Sequence, residues 1–269
     1  MQCGQVSSVP ALQTRAVSLA FGGVVALDCV DWAVNEGAIH GVIGPNGAGK
    51  TTLLNAITGI TPPDSGDVLL HGQSIRGLKA DRIAAAGIRR TFQTSLLCKG
   101  MTVLENVMAG LHVRLRAGPF AAALGLRAVW RDEQDAAEAA RDALDYVGAI
   151  SFTDRDASVL SFGQQRLVEI ARALVGEPRV LLLDEPAVGL SPERVTHLDQ
   201  LLRRIRDDRG ITIVMIEHVI RLVVNVCDRI TVMNLGRPIA EGTADEVTTD
   251  PDVIEAYLGS ELHAVHSHA

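Results

Sequence analysis

Aromatic residues are scarce in this chain. Five Phe, two Trp and two Tyr make up 3% of its 269 residues. Because 47% of the residues are hydrophobic, a core of substantial size must be built from Ala, Val, Leu and Ile. The length suits one large α/β domain or a domain with a sizeable insert. A basic excess is also missing: 25 Lys and Arg face 32 Asp and Glu, for a net charge of −7. That balance argues against a general affinity for nucleic acid phosphates. The four cysteines, Cys3, Cys29, Cys98 and Cys227, are scattered and form no Cys-x-x-Cys pair. Isolated core or surface thiols are expected rather than a disulfide framework or a metal cluster. The charge-free runs 37–49 and 51–63 contain turn glycines or prolines and fall short of the ~20 apolar residues that span a bilayer. Met1–Pro10 lacks the basic start and apolar stretch of a signal peptide, so a cytoplasmic location is expected, with any membrane role supplied by a partner.

What the chain does contain is centred on residues 38–52. An apolar run from Ala38 to Ile43 reads as a short buried strand. A helix pattern begins at Lys50 and continues through Leu53, Leu54 and Ile57 to Gly59. Between them Gly44, Gly47, Gly49, Lys50 and Thr51 fill the spacing G-x-x-x-x-G-K-[ST] of a phosphate-binding P-loop. Glycines let successive backbone N–H groups approach an anion closely, and the helix N-terminus adds unpaired donors and partial positive charge. Lys50 can reach β and γ phosphates, and the Thr51 hydroxyl suits a Mg²⁺ position. A nucleoside triphosphate site follows.

Alternating apolar and polar residues in Leu12–Ala20 and Leu27–Val34, with Gly22-Gly23 between them, predict an antiparallel pair of strands. Strand-like Asp67–His71 follows the turn cluster Thr61–Gly66, then come a short helix near Asp81–Ala86 and a strand edge over Gly87–Gln93. Met101–His112 has helical spacing, with Thr102 as N-cap and Glu105 three residues later. Arg114–Arg127 reads as a loop and Arg131–Val147 as an amphipathic helix closed by Gly148. From Ser161 strands and helices alternate: helix 161–173, strand Val180–Leu183, helix 193–207, strand Ile211–Ile216, helix 218–225, strands near 230–234 and 238–241, and a last helix from Pro251 to Leu258. Such alternation implies a mainly parallel sheet covered on both faces.

Val180–Asp184-Glu185 is an apolar strand ending in two acids. Buried acids need a cation or hydrogen bonds to compensate. With a P-loop in the same sheet, Asp184 becomes a second holder of Mg²⁺, and Glu185 can accept a proton from an attacking water. The strand Ile211–Ile216 ends in Glu217-His218, which makes a contact from His218 to the γ-phosphate plausible. Gln93, at the end of Arg89–Gln93, carries a neutral amide that can orient water or ligate Mg²⁺. A histidine or glutamine at a strand end is by itself more often structural.

Leu160-Ser161-Phe162-Gly163-Gln164-Gln165-Arg166 resembles the signature motif of ABC-transporter ATPases, and the family's other elements appear in order over about 12–258. Phe21 matches the aromatic that stacks on adenine, 44–51 the Walker A motif, Gln93 the Q-loop, 180–185 the Walker B motif with its glutamate, and His218 the switch histidine. The resemblance implies a P-loop NTPase of α/β class with an antiparallel β subdomain and a helical insert. It divides the chain into an N-terminal extension (1–11), an ATPase core (12–93 and 160–243), the insert (94–159), a C-terminal helix (244–260) and a tail (261–269). His263, His266 and His268 in that tail are expected to be solvated rather than metal-bound.

The same resemblance implies that Gly44, Pro45, Asn46, Gly47, Ala48, Gly49, Lys50, Thr51 and Thr52 cradle the ATP phosphates, that Thr51, Gln93 and Asp184 hold Mg²⁺, and that Glu185 is the general base. Lys50, Gln93 and His218 would assist turnover. Ser161, Gly163 and Gln164 would meet the nucleotide of a second ATPase subunit joined head to tail. Two positions depart from the commonest form: Phe162 stands where glycine is usual, and Ser191 where an aspartate is usual. Arg90–Gln93, Met101–Val107 and Pro251–Gly259 are similar to the ATP-binding subunits of branched-chain amino acid importers with the longer helical insert. Separate permease subunits, and through them a solute-binding protein, are then implied at the cytoplasmic face of the inner membrane. Urea or amide importers, lipopolysaccharide exporters and cytosolic ABC ATPases with a soluble partner are the alternatives. A nucleotide-binding regulator without turnover is disfavoured by the intact Glu185 and His218.

Overall fold

A computed structural model describes residues 9–111 and 127–257. The expectations for the first eight residues, the 112–126 connection, the end of the C-terminal helix and the histidine tail lie outside the described residues.

Two sheets organise the fold. The smaller is antiparallel, with strand order β2-β1-β4-β5, where β1 is Leu12–Phe21, β2 Val24–Val34, β4 Ser65–Leu70 and β5 Gln73–Ser74. The hairpin closes on the pair Phe21↔Val24, so both strands run longer than the hydrophobic alternation suggests. Gly22 and Gly23 take the positive φ values, 53° and 93°, that so tight a turn needs. The ladder is interrupted by register shifts, and Ala16 and Cys29 are left with φ near +46°, bends that curl the sheet.

The larger sheet has strand order β10-β9-β3-β8-β7-β6. These are β3 (Ile39–Ile43), β6 (Ile88–Arg90), β7 (Val180–Asp184), β8 (Thr212–Ile216), β9 (Arg229–Asn234) and β10 (Arg237–Gly242). Only β10 runs antiparallel to its neighbour. All residues of β3, β7 and β8 are buried, as expected of parallel strands covered on both faces.

Successive side chains of these strands serve two cores. Val42, Val180, Leu182, Val214 and Ile216 pack toward α1 (Lys50–Ile57) and the antiparallel sheet. Ile43, Leu181, Leu183, Ile213 and Met215 face the other way, toward α3 (Val103–Met108), α4 (Arg127–Tyr146), α5 (Phe162–Leu174), α6 (Pro192–Arg209) and α7 (Ile220–Val226). Between the layers, buried Trp32 donates its indole N–H to His40 Nε2 at 3.2 Å and to Thr231 Oγ1 at 3.0 Å. Burial, with the Arg229 charge assisting, pushes His40 down to about 4, so it is neutral at pH 7.

Several boundaries differ from the sequence expectation. The helix expected over Met101–His112 is regular only over α3, then tightens into a 3₁₀ turn at Ala109–Leu111. Gly110 packs there against the Arg172 carbonyl of α5, leaving no room for a Cβ. Its start does follow expectation: the Glu105 N–H donates to Thr102 Oγ1 and the Thr102 N–H to Glu105 Oε2. α4 begins at Arg127 rather than Arg131. Of Gly87–Gln93 only Ile88–Arg90 pairs as a strand. α2 (Ala80–Ala85) starts one residue earlier than expected, and the helix expected over 244–260 opens with a separate short helix, α8 (Ala244–Thr248). α8 is capped by Thr243 and Glu246 in another capping box. A further helix covers 251–257.

Candidate functional site

The parallel register brings four strand ends to one edge of the larger sheet. Val42 pairs with Ile216, Asp184 with Ile216, and Arg90 with Leu182. The segments leaving β3, β8, β7 and β6 therefore emerge side by side, where open α/β sheets bind ligands.

Residues 44–49 leave β3 and enter α1. Gly44, Gly47 and Gly49 have φ of 147°, 80° and 97°, which L side chains rarely adopt. Two of them are also sterically required: a Cβ on Gly44 would run into the Met233 carbonyl, and one on Gly49 would lie 2.5 Å from the Ala26 oxygen. Lys50 is buried and donates to the Gly44 and Pro45 carbonyls at 2.8 and 2.9 Å. Burial pulls its ammonium below the usual lysine range, and the nearby Glu185 and Asp184 charges oppose that shift. The loop thus closes around its own cation. Thr51 lies exposed in the first turn of α1, Thr52 is half-buried and Ala48 is packed inward. Pro45 is half-buried, and Asn46 is exposed. Tyr257, from the last described helix, hydrogen-bonds the Gly44 backbone.

Asp184 and Glu185 follow β7. Asp184 is buried; its Oδ2 accepts from Arg90 Nη2 at 2.7 Å, while its buried Oδ1 has no hydrogen-bond partner among the described residues. A buried, unpartnered carboxylate oxygen is costly, and a divalent cation beside the exposed Thr51 would satisfy it. The hard oxygens of Asp184 and Thr51 suit Mg²⁺. Glu185 has φ of 49°, a strained conformation for a non-glycine residue. Its N–H donates to the Ile216 carbonyl at 2.9 Å. Gln93 Nε2 donates to Glu185 Oε2 at 2.6 Å, and His218 Nε2 lies 2.7 Å from Glu185 Oε1. Gln93 and His218, more than 90 residues apart from Glu185 and 33 beyond it respectively, thus converge on one carboxylate.

Ser161 caps α5, its N–H donating to Gln164 Oε1 at 2.9 Å. Gly163 is buried against the Arg194 guanidinium, which would have to move to admit a Cβ. Among the described residues no hydrogen bond or ion pair links Ser161, Gly163 or Gln164 to residues 44–52. Phe21 is half exposed at the hairpin end, 51% accessible, and available for stacking.

Three polar residues of this region were not singled out from the sequence. Arg90 bridges Asp184 to Asn55 of α1 at 2.7 Å. Arg166 of α5, buried, pairs with Glu169 at 3.0 Å and donates to the carbonyls of Phe92, Gln93 and Glu185. Glu217, fully buried, accepts from three backbone N–H groups. Arg90 at a buried strand end was the only local signal; what ties Arg166 to Phe92, Gln93 and Glu185, and Glu217 to Ala187, are contacts to segments remote in sequence.

Comparison with known proteins agrees with this geometry. Residues 27–188 match the ABC transporter family, and residues 237–263 match the family described as branched-chain amino acid ATP-binding cassette transporter. The chain is 41% identical over 252 residues to the high-affinity branched-chain amino acid transport ATP-binding protein LivG of Salmonella typhimurium, covering 94% of this chain and 99% of the relative. It superposes on the crystal structure of a nucleotide-free ATP-binding cassette from an ABC transporter with a TM-score of 0.81 at 35% identity, covering 92% and 98% of the two chains. A dimeric cassette in a post-hydrolysis state, bound to ADP and Pi, superposes at 0.74 with 26% identity, covering 87% of this chain and 98% of that one. The P-loop that closes on Lys50, the acids at the end of β7 and these likenesses along almost the whole length place the chain in the ABC transporter family, as one of its ATP-hydrolysing ATP-binding subunits.

Proposed function

We propose that the chain energises import of branched-chain amino acids, working as a head-to-tail pair of ATPases beneath two permease subunits on the cytoplasmic face of the membrane. The observation that carries the solute class is the 41% identity to LivG over 94% of this chain. The C-terminal match at 237–263 supports it. No helix among the described residues is long and apolar enough to cross a membrane, so the permeation path belongs to partners, and a solute-binding protein acts through them.

In this reading Lys50 leaves the Gly44 and Pro45 carbonyls for the β and γ phosphates, and residues 46–52 supply backbone N–H donors. Phe21 stacks on the adenine. Asp184, Thr51 and Gln93 hold Mg²⁺, whose charge offsets that of the phosphates. Gln93 Nε2 donates to Glu185, so its amide oxygen would be the atom offered to the ion. Glu185 takes the proton of the attacking water as general base, oriented by Gln93 and His218. Ser161, Gly163 and Gln164 meet the γ-phosphate held by the second subunit, the α5 N-terminus serving as anion site. The dimeric cassette bound to ADP and Pi supports a paired arrangement.

Uptake of labelled leucine, isoleucine and valine tests the solute class, in cells carrying Glu185→Gln at the native locus with redundant carriers removed. Loss of uptake of all three is expected. Normal entry of all three would refute the assignment.

A further inference from the structure

Glu217 has no part in the reaction as described, yet it is the most deeply buried acid at the site, with no exposed surface. Its Oε1 accepts from the Ala187 N–H at 2.5 Å. Its Oε2 accepts from the N–H groups of His218 at 3.0 Å and Val219 at 3.1 Å. Ala187 lies two residues past Glu185 on the segment leaving β7, whereas His218 and Val219 leave β8. One carboxylate therefore ties together the two turns that carry Glu185 and His218. The remaining backbone tie between these turns is the Glu185 N–H to the Ile216 carbonyl.

We propose that Glu217 is the positioning residue of the Glu185–His218 pair, holding the two strand-end turns in the register that sets their 2.7 Å contact. The inference rests on the roles given above to Glu185 and His218. An ionised carboxylate only accepts hydrogen bonds and has room for three N–H donors, and such charge-assisted bonds are strong. Burial pushes the Glu217 carboxyl up, and the three N–H groups pull against that shift. A glutamine of the same shape would turn an NH₂ group toward one of these donors and leave at least one buried N–H unpaired. The turns would then part slightly. Misplacement of reacting groups by about 1 Å costs up to ~10²-fold in rate, with little effect on how ATP itself is held.

Steady-state ATPase assays on the full chain test this, with Glu217→Gln, His218→Ala, the double variant and Glu185→Gln measured together. Glu217→Gln is expected to lower kcat by about tenfold or more, leaving KM for ATP within about twofold. His218→Ala should cost much less in the Glu217→Gln background than in the unmutated chain, because a histidine already displaced has little left to lose. A normal kcat, a loss confined to KM, or simple additivity of the two substitutions would overturn the proposal. Should Glu217→Gln not fold, Glu217→Asp keeps the charge but is one methylene too short to reach both turns. The same kcat-selective loss is expected of it, and a normal kcat, or failure of both variants to fold, would assign Glu217 to stability alone. If Glu185→Gln turns over normally, the reading of the site itself fails. If Glu185→Gln is inactive and Glu217→Gln is normal, only the present inference fails.

Discussion

The strand-end cluster and the N-terminus of α5 are finished to different degrees. At the strand ends, Lys50, Asp184, Glu185, Gln93 and His218 engage partners within the chain at 2.6–2.9 Å. At α5 the cap is satisfied locally by Gln164, while Ser161 and Phe162 stay exposed. The first region is organised by a parallel sheet whose register leaves its members little freedom. The second presents a helix end outward, complete as structure and open as a surface. Arg166 connects them: it sits in α5 but donates to the backbone of Phe92, Gln93 and Glu185. In the proposed head-to-tail pair, the strand-end cluster would serve one chain's nucleotide and the outward-facing helix end its partner's, with the buried Arg166 between them.

The hardest test of this contrast removes chemistry from the finished half alone. Glu185→Gln should lower turnover by ~10²–10⁴-fold while ATP binding persists, as read by single-turnover hydrolysis and nucleotide titration. Turnover near normal would strip the strand-end cluster of its proposed base. Ser161→Arg addresses the open half: bulk and charge there should abolish ATP-driven dimerisation and the turnover that depends on it, with nucleotide binding by the single chain unchanged. Equal loss of both, by size-exclusion chromatography and nucleotide titration, would make the α5 end part of its own chain's site and erase the contrast.

The link between the halves can be cut next. Arg166→Met leaves the buried Glu169 carboxylate without its counter-ion, held among the described residues only by the Leu96 N–H, and should cost ~3–5 kcal/mol in chemical denaturation; replacing Glu169 by Leu as well should recover part of that loss. If hydrolysis stays depressed in the restored double variant, Arg166 serves the site and not only stability. The smallest effect is expected far from both halves. Thr102→Ala removes the α3 cap and should destabilise by about 1 kcal/mol, leaving kcat unchanged; a change in kcat would show that the helical region influences the site.

Much of this was legible in the chain itself. The 44–51 glycine spacing, the acids ending an apolar run at 184–185 and the Thr102–Glu105 cap are local patterns, and each lies where its pattern placed it. The doubly covered parallel sheet followed from alternating strands and helices. The 3₁₀ break at Ala109–Leu111 was not legible, because it answers to the Arg172 carbonyl of another helix. The positive φ of Ala16 and Cys29 comes from pairing irregularities between strands, and no residue preference announces it.

By itself the sequence marked the glycine loop suited to phosphate, which strands would be buried on both faces, and the starts of α1 and α3, since these depend on neighbours within a few residues. Tertiary structure alone decided that Arg90 would face Asp184, 94 residues away, that Arg166 would reach Phe92, 74 residues away, and that Glu217 would gather the turns at Ala187 and His218. Those choices are made by strand register and by the demand that buried charges find partners, and both become definite only when distant segments are packed together.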